Sequence, residues 1–324
     1  MSEGHSYGNG VSGFDQTFGL LMRQFVPTLI RIAKLTPGQR VLDIATGTGI
    51  AAEAALDAVG PSGHVTAADD TPLMLEEARH RLGASPNVSF AVERAGSLTF
   101  PDASFNAVLC SMALMIFPDR GHALAEFHRV LRSGGQLVVS INTRPERSLT
   151  GLVRMAVARH VPSMTAAMTH HYSLSDAARL RVLLETAKFQ SVAVVMETRS
   201  FFFPSFDTYF EPFEQGGGPW GAQYVTLPAE KRHIVKQDVR QRLEGAAKAD
   251  GSIEVGWTSS SAAGKNDGNS DLEERVMSGP PTQLSGDVHS VRAVDGAHLE
   301  YDLPAHSVAG DQSPSSQREM CVWR

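Results

Sequence analysis

The chain has 324 residues, 42% of them hydrophobic, and a formal net charge of −6, enough for one large domain or two small ones with a full core. With no lysine or arginine block, that negative balance argues against a nucleic-acid backbone or an anionic membrane surface as the main partner. Its two cysteines, Cys110 and Cys321, lie in unrelated contexts, which argues against a disulfide framework and a cysteine-ligated zinc site and fits a reducing cytoplasm; the N-terminus has no export pattern and no run of 18 apolar residues exists.

Helical spacing from about 18 to 34 predicts an N-terminal helical cap over 1–38. From Gln39 to Ile141 short β-rich runs alternate with longer helical stretches. Strands are predicted at 40–45 (RVLDIA), 64–68 (HVTAA), 87–92 (NVSFAV), 105–111 (FNAVLCS) and 135–141 (GQLVVSI), and helices at 50–59, 71–82 and 119–131. Thr71 suits the N-cap of the second helix and Pro72 its first turn. Gly60-Pro61, Gly83 and Gly134-Gly135 mark ends. Such alternation is the pattern of a parallel sheet with crossover helices on both faces. Residues 144–173 break it and read as a helical insert. A helix over 174–189 and a strand over 191–199 follow, then the aromatic stretch FFFPSFDTYFEPF with QGGGPWG, a charged helix over 228–243 and a last strand over 252–264. From 265 to 324 the composition turns to Gly, Ser, Pro, Asp and Gln without a period, which predicts a disordered tail and a chain that tolerates truncation after Gly264.

The stretch VLDIATGTG at 41–49 carries the chemistry. A strand, a Gly47-Thr48-Gly49 turn and a helix bring backbone N–H groups and a positive helix end against a ligand. Ala52 continues the dinucleotide fingerprint and Asp69 stands where an acid holds ribose hydroxyls, so a nicotinamide enzyme is open at this point. Asp43 weighs against it, because a pyrophosphate beside a buried carboxylate would cost about several kcal/mol. S-adenosylmethionine carries an ammonium and a sulfonium and no phosphate, and turns the same charge into an attraction. Asp43 could also cap the N–H groups of its own loop.

The stretches VLDIATGTGIAA, HVTAADDTPLMLEEAR, LTFPDASFNAVLCSMALMIFPD and ALAEFHRVLRSGGQLVVS resemble, in order and spacing, the class I S-adenosylmethionine-dependent methyltransferases, and among them the ubiquinone/menaquinone-biosynthesis type. The resemblance covers residues 14–141 tightly and 174–263 loosely. It implies an α/β, Rossmann-like, seven-stranded and mostly parallel sheet, a methyltransferase domain over 39–264, S-adenosylmethionine as cofactor and S-adenosylhomocysteine as product. By the same resemblance, Asp43 and the Gly47/Gly49 turn face the methionine end, Asp69 takes the ribose hydroxyls, Thr71 and Met74 flank the adenine, Ser111 and Met112 sit beside the methionine moiety and the acceptor, and Ala45, Thr46, Asp70, Arg94 and Ala95 also belong to the cofactor site. Two positions depart from the family pattern. Glu93-Arg94-Ala95 stands where Gly-Asp-Ala is usual, so adenine is read either by backbone alone or by Arg94 stacked on the ring. Ser133 replaces a turn proline.

Methyl transfer from a sulfonium is an in-line displacement, so positioning and exclusion of water matter most. A base is needed only where the acceptor loses a proton, and His170, His171 and Tyr172, at the end of the insert, are the candidates. His122 and His128 read as surface or packing positions. Phe203, Phe206, Tyr209 and Trp220, beside Gly216 to Gly218, read either as a lid over an apolar or aromatic acceptor, within a segment of about 201–227, or as the core of a strand and helix. A small-molecule acceptor, no nucleic acid, no membrane, no metal and a monomer or homodimer are expected. A dehydrogenase on a similar sheet and a regulatory module that binds cofactor without chemistry are the alternatives.

Overall fold

A computed structural model describes residues 19–268. One sheet is formed by β1 (Arg40–Ile44), β2 (His64–Asp69), β3 (Val88–Val92), β4 (Phe105–Ser111), β5 (Leu131–Asn142), β6 (Gln190–Phe203) and β7 (Ile253–Asn266), in the order 3-2-1-4-5-7-6. Pairings among β1 to β5 are parallel, and β7 runs antiparallel between β5 and β6. This is the parallel sheet that the alternation predicts, in the seven-stranded Rossmann-like form that the resemblance implies. Successive residues face opposite layers. Val41, Leu109 and Val138 enter one apolar cluster, whereas Leu42, Val108 and Leu137 enter the other.

Helices α1 (Leu20–Arg23) and α2 (Val26–Ala33) replace the single helix expected upstream, because Pro27 lacks the N–H an unbroken helix needs there and starts a new one. The crossovers carry α3 (Ile50–Val59), α4 (Pro72–Leu82) and α5 (Arg120–Val130). The insert is helical as expected, with α6 (Gly151–Ala158) and α7 (Ser163–Tyr172), followed by α8 (Ala177–Thr186), α9 (Phe206–Glu214), α10 (Gly218–Thr226) and α11 (Ala229–Leu243). Among the described residues no helix is long and apolar enough to cross a membrane.

The aromatic segment departs from the lid expectation. Phe201, Phe202 and Phe203 continue β6 and pair with β7, with Phe201 and Phe203 turned inward and Phe202 outward. Phe206, Tyr209, Phe210 and Phe213 share the buried face of α9, and Trp220 and Tyr224 of α10 are buried with them. Their rings meet at centroid distances of 5.3 Å for Phe203–Tyr209, 5.5 Å for Phe206–Phe210 and 5.3 Å for Phe210–Tyr224. The glycines between α9 and α10 also have a packing cause: a Cβ on Gly221 would lie 2.8 Å from the Gly216 carbonyl carbon. They let two helices touch.

The last strand extends past the expected boundary at Gly264, since Lys265 and Asn266 pair with Gln136 and Gly135. The Asn266 amide donates 2.9 Å bonds to the carbonyls of His128 and Leu131, stitching β7 to the end of α5. Asn266→Ala is therefore expected to destabilise the protein by about 1–3 kcal/mol in urea unfolding, through two acceptors left without a donor, and truncation after Gly264 is no longer expected to be harmless. The rest of the expected tail, 269–324 with Cys321, lies outside the described residues, as does 1–18 of the expected cap.

Candidate functional site

β1, β2 and β4 end on the same edge of the sheet, where ligands enter open α/β folds. The loops leaving them enclose a cleft of about 850 Å³, within the range of small-molecule and cofactor sites. Ala45, Thr46, Gly47, Asp69, Asp70, Met74, Arg94, Ala95, Ser111 and Met112 all line it. Two non-glycine residues there have positive φ, Ala45 at 55° and Met112 at 54°, each just past its strand. Backbone strain of this kind concentrates at functional sites, and nothing in the sequence signalled it.

Gly47 has φ +55°, and a Cβ there would meet no protein atom within 4 Å. Its bare face therefore opens on the cleft. Gly49 lies behind, with φ +84°, where a Cβ would come 2.9 Å from Leu82 of α4. The two glycines of one motif thus serve different ends, access at the first and packing at the second.

Asp43 does not reach the cleft surface. It is fully buried in β1, and its Oδ2 accepts a 2.6 Å bond from the Thr46 hydroxyl. Burial pushes its carboxyl up from 3.8 to about 7, against the pull of Thr46 and the Ala52 amide and with a further push from Asp69. Asp69 lines the cleft and ties two loops together: Oδ2 accepts from the Gly47 amide and Oδ1 from the Thr71 amide, both at 2.9 Å. Burial raises its carboxyl too, while those amides lower it. Each oxygen keeps a second lone pair for a ligand hydroxyl. Glu93, where the family pattern has glycine, turns inward to the amide and hydroxyl of Thr99. Arg94 lies exposed on the cleft wall.

The other wall is apolar, with Met22 and Val26 from the N-terminal helices and Ile116 and Phe117 from the loop after β4. Arg23 pairs with Glu53 at the start of α3 at 3.0 Å and holds those helices in place. Beneath the cleft, Arg129 bonds the carbonyls of Leu98 and Phe100 and pairs with Glu126 and Asp102, pinning the loop between β3 and β4.

The histidines fall differently from expectation. His170, His171 and Tyr172 do not line the cleft. His170 Nε2 sits 2.8 Å from the Phe117 carbonyl, behind the loop, and Arg120 bonds the His170 carbonyl and the Ser173 hydroxyl to lock α7 there. His171 and Tyr172 are buried. His122 does line the cleft, its Nδ1 2.7 Å from Asp119 at the mouth. Sequence reasoning passed over it because the N-cap spacing Asp-x-x-His on a helix looks like any solvated helix start.

Residues 41–135 match the methyltransferase domain family. Over 113 residues, 34% of this chain and 44% of the relative, the sequence is 39% identical to a ubiquinone/menaquinone biosynthesis C-methyltransferase of Hydrogenovibrio crunogenus. Over 172 residues, 52% of this chain and 41% of the relative, it is 29% identical to an arsenite methyltransferase of Halobacterium salinarum. The chain thus spans less than half the length of these two curated relatives. In fold it is similar to a solved protein of Bacillus halodurans, with a TM-score of 0.53 and 23% identity over 75% of this chain and 99% of that one.

Proposed function

Because this chain belongs to the class I S-adenosylmethionine-dependent methyltransferases, we propose that it transfers a methyl group from S-adenosylmethionine to a small organic acceptor by in-line displacement. The observation that carries this reading is the pair of acids around an open glycine turn, Asp43 behind it and Asp69 at its rim. Asp69 adds to the upward push on Asp43, and two acids so placed disfavour a diphosphate and favour a cation. The residues present fit the cofactor: the bare face of Gly47 lets a ligand approach the backbone, Asp69 has lone pairs for ribose hydroxyls, and buried Met74 offers an apolar bed for adenine.

S-adenosylmethionine supplies an electrophilic methyl on a sulfonium. The protein's part is to orient and to keep water out. Ser111, the last residue of β4, and Met112 just after it stand beside the apolar wall of Ile116 and Phe117, which favours an apolar or aromatic acceptor there. If the acceptor must lose a proton, His122, steered by Asp119, is placed at the mouth to take it.

The relatives' activities differ, so the acceptor follows from this chain's own side chains. Arsenite prefers thiolates. Cys110 is buried in β4, where burial pushes its thiol far up, and it presents no thiolate to the cleft.

Titration calorimetry with S-adenosylmethionine, S-adenosylhomocysteine and NADH tests the reading. Heat from the first two and none from NADH is expected; the reverse pattern ends it. Gly47→Ala sharpens the test. An alanine at positive φ is expected to cost only about 1–2 kcal/mol of stability, while affinity for S-adenosylmethionine drops at least about tenfold because the new methyl occupies ligand space.

A further inference from the structure

Beyond the cleft, one cluster of polar side chains lacks the partners its burial calls for. Asn142 is the last residue of β5 and lies on the same face as Ser140, about 7 Å along the strand; the Ser140 hydroxyl accepts the amide of the cleft residue Met112 at 3.0 Å. The Asn142 amide is oriented by Trp257, whose indole N–H donates to its oxygen at 2.8 Å. Its nitrogen therefore donates to Nε2 of His171, at 3.1 Å, and Nη1 of Arg154 points to the same nitrogen at 2.9 Å. The same Nη1 is 3.4 Å from Nδ1, so the guanidinium lies against the face of the His171 ring, and an imidazole supplies no anion to balance it.

Arg154 stacks on Trp220 with its guanidinium 5.5 Å from the ring centroid, pairs with no carboxylate among the described residues, and leaves its Nε without a hydrogen bond. Two more buried donors stand unpartnered: the Tyr172 hydroxyl, on a ring 4.7 Å from that of His171, and the Ser148 hydroxyl, just before α6, which carries Arg154. Tyr209 links these last two, because its hydroxyl bonds the Leu149 carbonyl at 2.7 Å and Tyr172 adds to the upward push that burial gives its ionisation. A half-buried cation without an anion and two buried hydroxyls without acceptors are costly unless a ligand completes them.

We propose that Arg154, Tyr172 and Ser148 form a subsite beside the cleft that takes a carboxylate of the methyl acceptor, with the free Nε edge of the guanidinium meeting it side-on. This rests on the methyltransferase reading above and narrows the acceptor to a small carboxylic acid. A planar carboxylate matches the edge of a guanidinium in a way that a neutral amide does not.

The test uses the full chain saturated with S-adenosylhomocysteine, titrated with acetate, benzoate and 4-hydroxybenzoate and with the corresponding amides. At least one acid is expected to bind about tenfold or more tighter than its amide. Arg154→Gln should abolish that difference and Arg154→Lys restore part of it. Tyr172→Phe keeps the proposal testable if the arginine variants fail to fold: it should weaken acid binding severalfold while leaving the melting temperature unchanged or raising it, since it deletes a hydroxyl with no partner. Acids and amides that bind alike, inorganic phosphate that binds tighter than every acid, or a Tyr172→Phe protein with unaltered acid affinity would each overturn the subsite. Failure of wild-type protein to bind S-adenosylhomocysteine would instead remove the methyltransferase reading, and the acid-over-amide preference can be read without it.

Discussion

Asp43→Asn is expected to make the protein more stable and, at the same time, a weaker binder of S-adenosylmethionine. The wild-type carboxyl is fully buried and titrates near 7 rather than 3.8. Between those pH values the native protein holds a proton that the unfolded chain has lost, so stability from this group falls as pH rises through the window. Below about pH 4 both states are protonated and there is no penalty. Above about pH 7 the penalty is complete, on the order of 4 kcal/mol at about 1.4 kcal/mol per pH unit. Asparagine keeps the shape and a partner for Thr46 and never ionises, so its stability curve should stay flat where the wild type declines. Urea unfolding at pH 5 and pH 8 reads the difference; equal pH slopes for the two proteins would show that Asp43 is not the group responsible. A bound cation favours the ionised carboxyl, and its loss is expected to cost about 1.5–3 kcal/mol of cofactor affinity at pH 8. Affinity of the wild type should accordingly rise as pH increases through about 7.

The second large effect is expected in the aromatic layer. Tyr209→Ala and Phe210→Ala should each cost about 3–5 kcal/mol of folding stability, since both side chains are buried among rings of α9, α10 and β6 and their removal leaves a cavity. Tyr209→Phe should cost less, about 1 kcal/mol, for the single bond to Leu149. Cofactor titrations on whatever remains folded should be close to wild type, because none of these residues lines the cleft. Variants of wild-type stability that lose acceptor turnover alone would restore the lid.

The sheet was legible because its signals are local. Alternation of β-rich runs with helical ones predicted the strands within a few residues, and Gly47-Thr48-Gly49 between a strand and a helix predicted where a ligand enters. Pro27 was equally local, and its break in the upstream helix was there to be read. The acids at the ends of β1 and β2 were also visible as residues, though not their depth. Whether Asp43 touches the ligand or lies behind the turn depends on how β1 is covered by β2 and β4, and three strands from distant parts of the chain decide that.

The same cause explains the larger corrections. Phe201 to Phe203 look alike as lid or strand in isolation, and only pairing with β7, some 50 residues later, turns alternate rings inward. His170, His171 and His122 carry the same imidazole in similar local settings. Arg120 and the loop after β4 place the first behind the cleft, Asn142 and Arg154 bury the second, and the start of α5 leaves the third at the mouth. Composition and periodicity along the chain thus set the layers and the glycine turn, because those follow from neighbours in sequence. Which acid is buried, which histidine faces the cleft and which arginine lacks an anion were decided by tertiary structure, because burial and charge balance are properties of side chains that meet only after the strands have been brought together.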